Sequence, residues 1–370
     1  MARLQFPYMF WAHTHAVRSA YCLSQSGMPT ADAGIFAGVG GIDLGHPSAE
    51  ALPSLEAKVA SVFGVDPRRV IAVLGASGGM HTAALRYFRP GSRVVVDVPS
   101  YEPFRALPSY LGAEVRPLRR RVEDAWQIDP AEVRRLLARG GGPGHVFLSN
   151  LHNPSGALLE RETLVEIARA AESAGGVAIV CEVYMEYVPA ARRVHAFDVA
   201  PNGISVGSLT KAYGLGPLRI GWIILGEGLV HERDALRDMT YLSYVDPPTV
   251  CLRAGVRALE RLDDLLRPLA VIEHESRPIW ERWLRETPGV KASVPEFGII
   301  AFPLIEGVND TLALAEFLAA EHEVDVVPGE FFGTPGHLRI GCGVPAETLR
   351  VGLERLTAGL AAWRAKPVAR

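Results

Sequence analysis

The chain has 370 residues, 48% of them hydrophobic and 21% charged, with a formal net charge of −3. That length exceeds one ordinary core and points to two lobes, and the composition excludes an intrinsically disordered chain. Charge of both signs in near balance excludes nucleic acid as the main partner, and no apolar run reaches the roughly 18 residues that span a bilayer.

The first residues, MARLQFPYMFWAHTHAVRSAY, hold aromatics and histidines but no clean apolar stretch with a small-residue cleavage site, so no signal peptide is expected. FPYMFW reads either as the lining of an apolar pocket or as a packed arm. A helix is predicted over 54–64 (SLEAKVASVFG), then a strand over 70–75 (VIAVLG) and a helix over 80–88 (MHTAALRYF). Strand 92–101 (SRVVVDVPSY), helix 130–140 (PAEVRRLLARG), strand 145–150 (HVFLSN) and helix 161–175 (RETLVEIARAAESAG) follow. Strands at 177–184 (VAIVCEVY), 203–208 (GISVGS) and 219–226 (RIGWIILG) complete the set. Short, continuously apolar strands between amphipathic helices indicate an α/β fold with a mostly parallel, helix-covered central sheet, whose ligand sits at the carboxyl ends of the strands.

Beyond residue 228 the pattern turns helical, notably over 250–285, and from 289 it becomes short strands around one helix, closing with a helix over 346–364. This reads as a smaller α+β domain. The expected division is an N-terminal segment (1–44) joining the small domain, a large domain (45–275) and a small C-terminal domain (276–370). Cys22, Cys181, Cys251 and Cys342 are scattered without a C-x-x-C pair, which suits a reducing cytoplasm.

The motifs sit at strand ends. GASGGM (75–80) offers small residues, backbone N–H groups and the Ser77 hydroxyl to an anion at a helix start; it reads equally as a plain glycine-rich turn. Tyr101 of PSY can stack on a flat ring or pack under a loop. In SNLHNPSG, Pro154 biases Asn153 toward an extended conformation that aims its side chain into the cleft, although N-P-S-G is also a turn signature. Tyr184 of CEVY can bond a phenolate-like oxygen; Cys181 is either turned to the same crevice or a small core residue. Only four of the 38 basic residues are lysines, and one of them, Lys211, lies in SVGSLTKAYGLGPLRIGW. An amine, unlike a guanidinium, loses its proton near neutral pH when desolvated and attacks carbonyls. Ser208 and Arg219, three residues before and eight after that lysine, make a second half of a dianion site. Arg339, in HLRIGCG, suits a carboxylate or a surface ion pair.

Together, GASGGM, PSY, NPSG, CEVY, SLTKAYGLGPLRIGW and LRIGCG resemble the signature of the class I/II aminotransferases, fold type I pyridoxal-phosphate enzymes, over nearly the whole chain. The resemblance implies a large cofactor-binding domain and a smaller domain, bound pyridoxal 5′-phosphate and a homodimer. It further implies that Lys211 carries the cofactor aldehyde as a Schiff base and moves the α-proton. Arg219, Ser208, Ser77 and the Ala76 backbone would hold the phosphate. Tyr101 would cover the ring, Asn153 and Tyr184 would bond its phenolic oxygen, and Arg339 would clamp the substrate carboxylate. LSQSGMP (23–29) resembles the substrate-facing N-terminal loop, with Gly27 leaving room for substrate. The activity implied is transfer of an amino group between an α-amino acid and an oxo acid.

Two departures stand out. The family usually has an aspartate at the ring nitrogen where this chain has Cys181, and a thiol cannot hold a pyridinium as a carboxylate does. Strand alternation sends the neighbouring Glu182 to the opposite face. That departure keeps a β-lyase or a biosynthetic cyclase or hydroxylase as the alternative activity. In many relatives a tyrosine reaches the partner subunit's phosphate; here His46 stands near that place, as a donor or as an ordinary loop residue.

Overall fold

The computed structural model describes residues 6–15, 19–36 and 48–366, so His46 lies outside the described residues. A seven-stranded sheet forms the large lobe: β1 (Val70–Leu74), β2 (Arg93–Val98), β3 (Glu114–Arg119), β4 (Gly144–Ser149), β5 (Ala178–Cys181), β6 (Gly203–Ser208) and β7 (Ile220–Leu225). Their spatial order is β1-β7-β6-β5-β4-β2-β3. β7 runs antiparallel to both of its neighbours, and every other pair in the row is parallel. The continuous apolar runs are explained by burial on two faces. Ile71 and Val73 of β1 join one core cluster, whereas Val70 and Ala72 join the cluster on the other side. Strand β3 is absent from the expected set because EVRPLR carries a proline and three charged residues; it lies at the sheet edge, where proline costs no ladder bond.

Helices α1 (Pro7–His15), α2 (Ser48–Phe63), α3 (Gly75–Tyr87), α4 (Glu102–Tyr110), α5 (Pro130–Leu137) and α6 (Arg161–Ser173) precede or alternate with the strands. Helix α3 begins five residues earlier than its apolar pattern suggests, so GASGGM is the first part of the helix and not a turn before it. The small residues let α3 lie close on the sheet: a Cβ at Gly79 would meet Val206 Cγ1 at 2.7 Å. After α7 (Arg233–Ser243) and α8 (Thr249–Leu259), one helical run passes from Leu262 through a π segment at Ile272–Ser276 to Glu286, across the expected domain limit at 275.

The small lobe is a three-stranded antiparallel sheet of Ile300–Ala301, β8 (Leu338–Gly341) and Val327–Pro328, packed with helices Thr311–His322 and Ala346–Ala365. Residues 21–23 of the N-terminal segment pair with it, while Ile35 packs in a core cluster of the large lobe. Tyr21–Cys22 pairs in parallel with Val324–Asp325, and Gly341 N donates to Leu23 O at 2.7 Å. Among the described residues no helix is long and apolar enough to cross a membrane.

The large lobe is braced by one buried carboxylate. Glu56 of α2 accepts from Ala72 N in β1 at 3.0 Å, from Arg233 at 2.8 Å and from Arg237 of α7. Glu56→Ala would leave Arg237, whose side chain is only 8% exposed, without its counter-charge. We expect a loss of about 3 kcal/mol in urea unfolding, and a smaller loss for Glu56→Gln, which keeps an acceptor.

Candidate active site

A cavity of about 580 Å³ opens at the carboxyl ends of the parallel strands, between the two lobes. Register places the side chains: Ser149, the last residue of β4, is opposite Cys181, the last residue of β5, and Cys181 is opposite Val206 of β6. Both Ser149 and Cys181 reach the cavity wall. Beyond the end of β6 the chain turns, and Lys211 enters the cavity from the loop that joins β6 to β7.

Lys211 keeps some surface open to the cavity, but its ammonium lies deep. Burial pulls its pKa below the ordinary lysine value; the positive charges of Arg339 and Arg219 add to this, and Tyr8 and Cys181 oppose it. Nζ donates to Ser26 Oγ at 3.0 Å, and Met28 N donates to the Lys211 carbonyl at 2.9 Å. The N-terminal strap of residues 24–28 therefore runs across the lysine from both sides of its backbone. It also reaches Arg339, whose Nη2 donates to Ser24 O at 2.9 Å and to the Tyr8 hydroxyl at 3.0 Å. Arg339 Nη1 donates to Asn153 Oδ1 at 3.1 Å, so the arginine of the small lobe and the asparagine of the large lobe meet across the cavity.

The opposite end of the cavity is built for an anion. Ala76 and Ser77 lie in the first turn of α3, where N–H groups have no helical acceptors. Gly75, at φ +68°, lets Arg219 close on that turn; a Cβ there would come within 2.8 Å of Arg219 Nη2. Arg219 is itself left-handed, at φ 53°, at the end of a tight 3-10 turn, which brings its side chain back over Gly75. Between the two ends lie Tyr101, Asn153, Cys181 and Tyr184. The Tyr184 hydroxyl is buried and makes no hydrogen bond of standard geometry, its contact with Ser26 lying off that geometry. Burial raises the pKa of both tyrosines and pushes the Cys181 thiol up to about 12.

Asn153 follows a strand and also opens a turn, closed by Gly156 N donating to His152 O at 2.7 Å, so the two readings of N-P-S-G are both realised. Buried His152 ties this turn to the PSY strand end. Its Nε2–H donates to Pro99 O at 2.8 Å, leaving Nδ1 to accept from the Ser155 hydroxyl at 2.6 Å. Glu182 points away, as alternation demands. Its carboxylate accepts from Ala196 N at 2.7 Å and Ser205 Oγ at 2.8 Å, and pairs with His195 Nδ1 at 2.6 Å.

Ala76, Ser77, Tyr101, Asn153, Cys181, Tyr184, Lys211, Arg219 and Arg339 thus line one cavity, and two expected members do not. Ser208 is buried behind it, its hydroxyl sharing a 2.7 Å hydrogen bond with Thr210, which does line the cavity. Gly27 lies against the lysine and not on the cavity wall: a Cβ there would sit 3.4 Å from Lys211 Cδ. Sequence reasoning missed Ser26, Thr210 and Ser149. For Thr210 the signal was proximity to the lysine; for Ser26 only the folding back of the N-terminal segment reveals the contact. Both readings of FPYMFW are realised, since Tyr8 and Trp11 line the cavity and also pack against Phe331.

A lysine with a lowered pKa, a buried arginine and a helix start with unpaired N–H groups meet in one cavity on a mostly parallel sheet, an arrangement suited to a cofactor-dependent enzyme of amino acids. Residues 30–356 match the family described as aminotransferase class I and II, and the chain belongs to that family. It is similar to capreomycidine synthase of Streptomyces vinaceus, 32% identical over 82% of this chain and 77% of the relative. It is also similar to the arginine–pyruvate transaminase of Pseudomonas aeruginosa, 27% identical over 79% of this chain and 75% of that one. A pyridoxal-phosphate-dependent aminotransferase from Streptococcus suis superposes with a TM-score of 0.85 at 25% identity, over 99% of this chain and all of the other.

The cofactor of this class is pyridoxal phosphate, and the residues present fit it. The missing Cβ at Gly75 lets the Arg219 guanidinium close on the first turn of α3, a pairing of cation and helix N–H groups that suits a phosphate, and the buried Tyr184 hydroxyl faces the cavity with a bond to give. Gly75→Ala should displace Arg219 and strain the left-handed position. Titration of the apoprotein with pyridoxal phosphate is expected to show about a tenfold weaker affinity, with about 1 kcal/mol lost in stability.

Proposed function

We propose that this enzyme is an aminotransferase that moves an amino group between an α-amino acid and an oxo acid, with Lys211 as the group that captures the cofactor and moves the proton. The observation that carries the reading is the placement of Lys211 Nζ and the Arg339 guanidinium on one cavity, both bound by the strap of Ser24 and Ser26. Bound pyridoxal phosphate supplies an aldehyde for amines and an electron-withdrawing ring for the charge left at Cα. The protein supplies the rest. Arg219, the first turn of α3, Ser77 and Thr210 would hold the phosphate, with Ser208 supporting Thr210 from behind. Tyr101 would cover the ring, and Asn153 and Tyr184 would donate to its phenolic oxygen. Arg339 releases the Tyr8 hydroxyl when a substrate carboxylate arrives and grips it in a bidentate fork. That grip aims the Cα–H at Lys211, whose pKa, lowered by burial, makes the free amine more available than an ordinary lysine's. Exposed Tyr241, Leu242 and Val245, at the end of α7 and just beyond it, suit burial against a second copy of the chain, so a homodimer is part of the reading.

Cys181 supports a second reading. A thiol held near 12 is neutral at working pH, and no carboxylate lines the cavity among the described residues to replace the one that relatives place at the ring nitrogen. A less electron-withdrawing ring favours early loss of a β-substituent over full amino transfer, and a synthase is among the relatives. Cys181→Asp should alter the visible spectrum of the loaded protein and raise oxo-acid yield relative to elimination products at least threefold. Unchanged spectra and product ratio would sink the role given to Cys181.

Lys211→Ala should abolish the yellow absorption band and lower turnover about a thousandfold. In wild-type apoprotein, capture of the aldehyde requires the free amine, so its rate should climb with pH and level off. Burial places that midpoint below the ordinary lysine value of 10.5; stopped-flow absorbance across a pH series checks it.

A further inference from the structure

The wall that a substrate side chain must face comes from α1. Tyr8, Met9, Trp11, Ala12 and His13 line the cavity on the side of Arg339, together with Ser24 and Gln25. This wall is rigidly packed. Tyr8 is hydrogen-bonded to Arg339, stands edge-on to Tyr101 at 5.8 Å, and lies 5.7 Å from Phe332; the Trp11 ring is 5.4 Å from Phe331. The charged side chains on the cavity are Lys211, Arg219 and Arg339, and among the described residues neither Asp nor Glu lines it. Glu102, the acid that touches α1, is buried and spends its carboxylate on the backbone, accepting from Met9 N at 3.4 Å.

Resting on the reading of the site given above, we propose that the enzyme selects amino acids with a large uncharged side chain, aromatic or thioether-like, and rejects cationic ones through the α1 wall, with Trp11 as the specificity-determining residue. A cationic side chain brought here leaves water and finds no Asp or Glu among the described lining residues to pair with it. Two of the nearby aromatic faces are already taken, since the Arg339 guanidinium lies over Tyr8 at 5.6 Å and over Phe332 at 5.2 Å. A flat apolar side chain instead gains contact with Trp11 and Met9 and loses no charge solvation. The inference runs against what the name of one relative would suggest, since that protein is an arginine–pyruvate transaminase.

The test uses cofactor-loaded enzyme and two unreactive carboxylates, phenylpropanoate and guanidinobutanoate, with binding measured by calorimetry and the absorption band recorded in the same samples. Phenylpropanoate is expected to bind at least tenfold tighter. Trp11→Ala should cost phenylpropanoate fivefold or more and leave guanidinobutanoate within twofold. Gln25→Glu, which adds a carboxylate to the exposed part of the wall, should narrow the gap between the ligands and does not depend on α1 surviving the loss of Trp11. Equal or tighter binding of guanidinobutanoate to an enzyme that shows its absorption band overturns the inference alone and leaves the site reading intact. An unchanged gap in both variants does the same. Protein with no band and no affinity for either carboxylate overturns both.

Discussion

One ammonium group withdrawn from water is the constraint around which this molecule is arranged. Lys211 is useful only where desolvation and nearby positive charge lower its pKa, yet a buried amine must be able to meet its ligands. The fold meets both demands by seating the lysine on a loop at the sheet's carboxyl edge and covering it with chain from far away in sequence. The cover is the strap of residues 24–28, which gives the amine a hydroxyl partner and holds the loop backbone as well. The same strap is hydrogen-bonded to β8 of the small lobe, so closing over the lysine and joining the lobes are one structural event.

Charge then sorts the cavity. Its ends are cationic, with Arg219 and the start of α3 at one and Arg339 at the other, which suits a phosphate and a carboxylate held apart. The middle holds neutral donors, the phenols of Tyr101 and Tyr184, the Asn153 amide and the Cys181 thiol. The one nearby carboxylate, Glu182, is turned to the far face and bound there by three partners. Its orientation is a direct consequence of the two-residue period of a strand, and it leaves the cavity-facing position at this strand end to a thiol.

Much of this was legible from residues alone. The strands at 70–74, 144–149, 203–208 and 220–225 match their apolar runs to within a residue or so, because strands buried on both faces have nothing but apolar side chains to show. The lysine, its arginine eight residues on, and the strand-end motifs converged as their order implied. The edge strand at 114–119 was not legible, since half of its surface faces water and its composition is that of a loop. Helix α1 was legible only as a choice between pocket lining and packed arm. Its hydrophobic residues occur on all sides, and the cavity they line has its other walls from about 15 to about 330 residues away.

The sequence by itself determined the periodicities, the strand-end chemistry and hence the family, because these depend on neighbours within a few residues. Only the tertiary structure decided which hydroxyl meets the lysine (Ser26), that Thr210 and not Ser208 lines the cavity, and that Gly27 packs on the lysine. It also decided that an aromatic helix from the amino terminus walls the substrate side. Those contacts join segments separated by up to about 330 residues, and no local pattern specifies where two such distant surfaces will meet once both cores have closed.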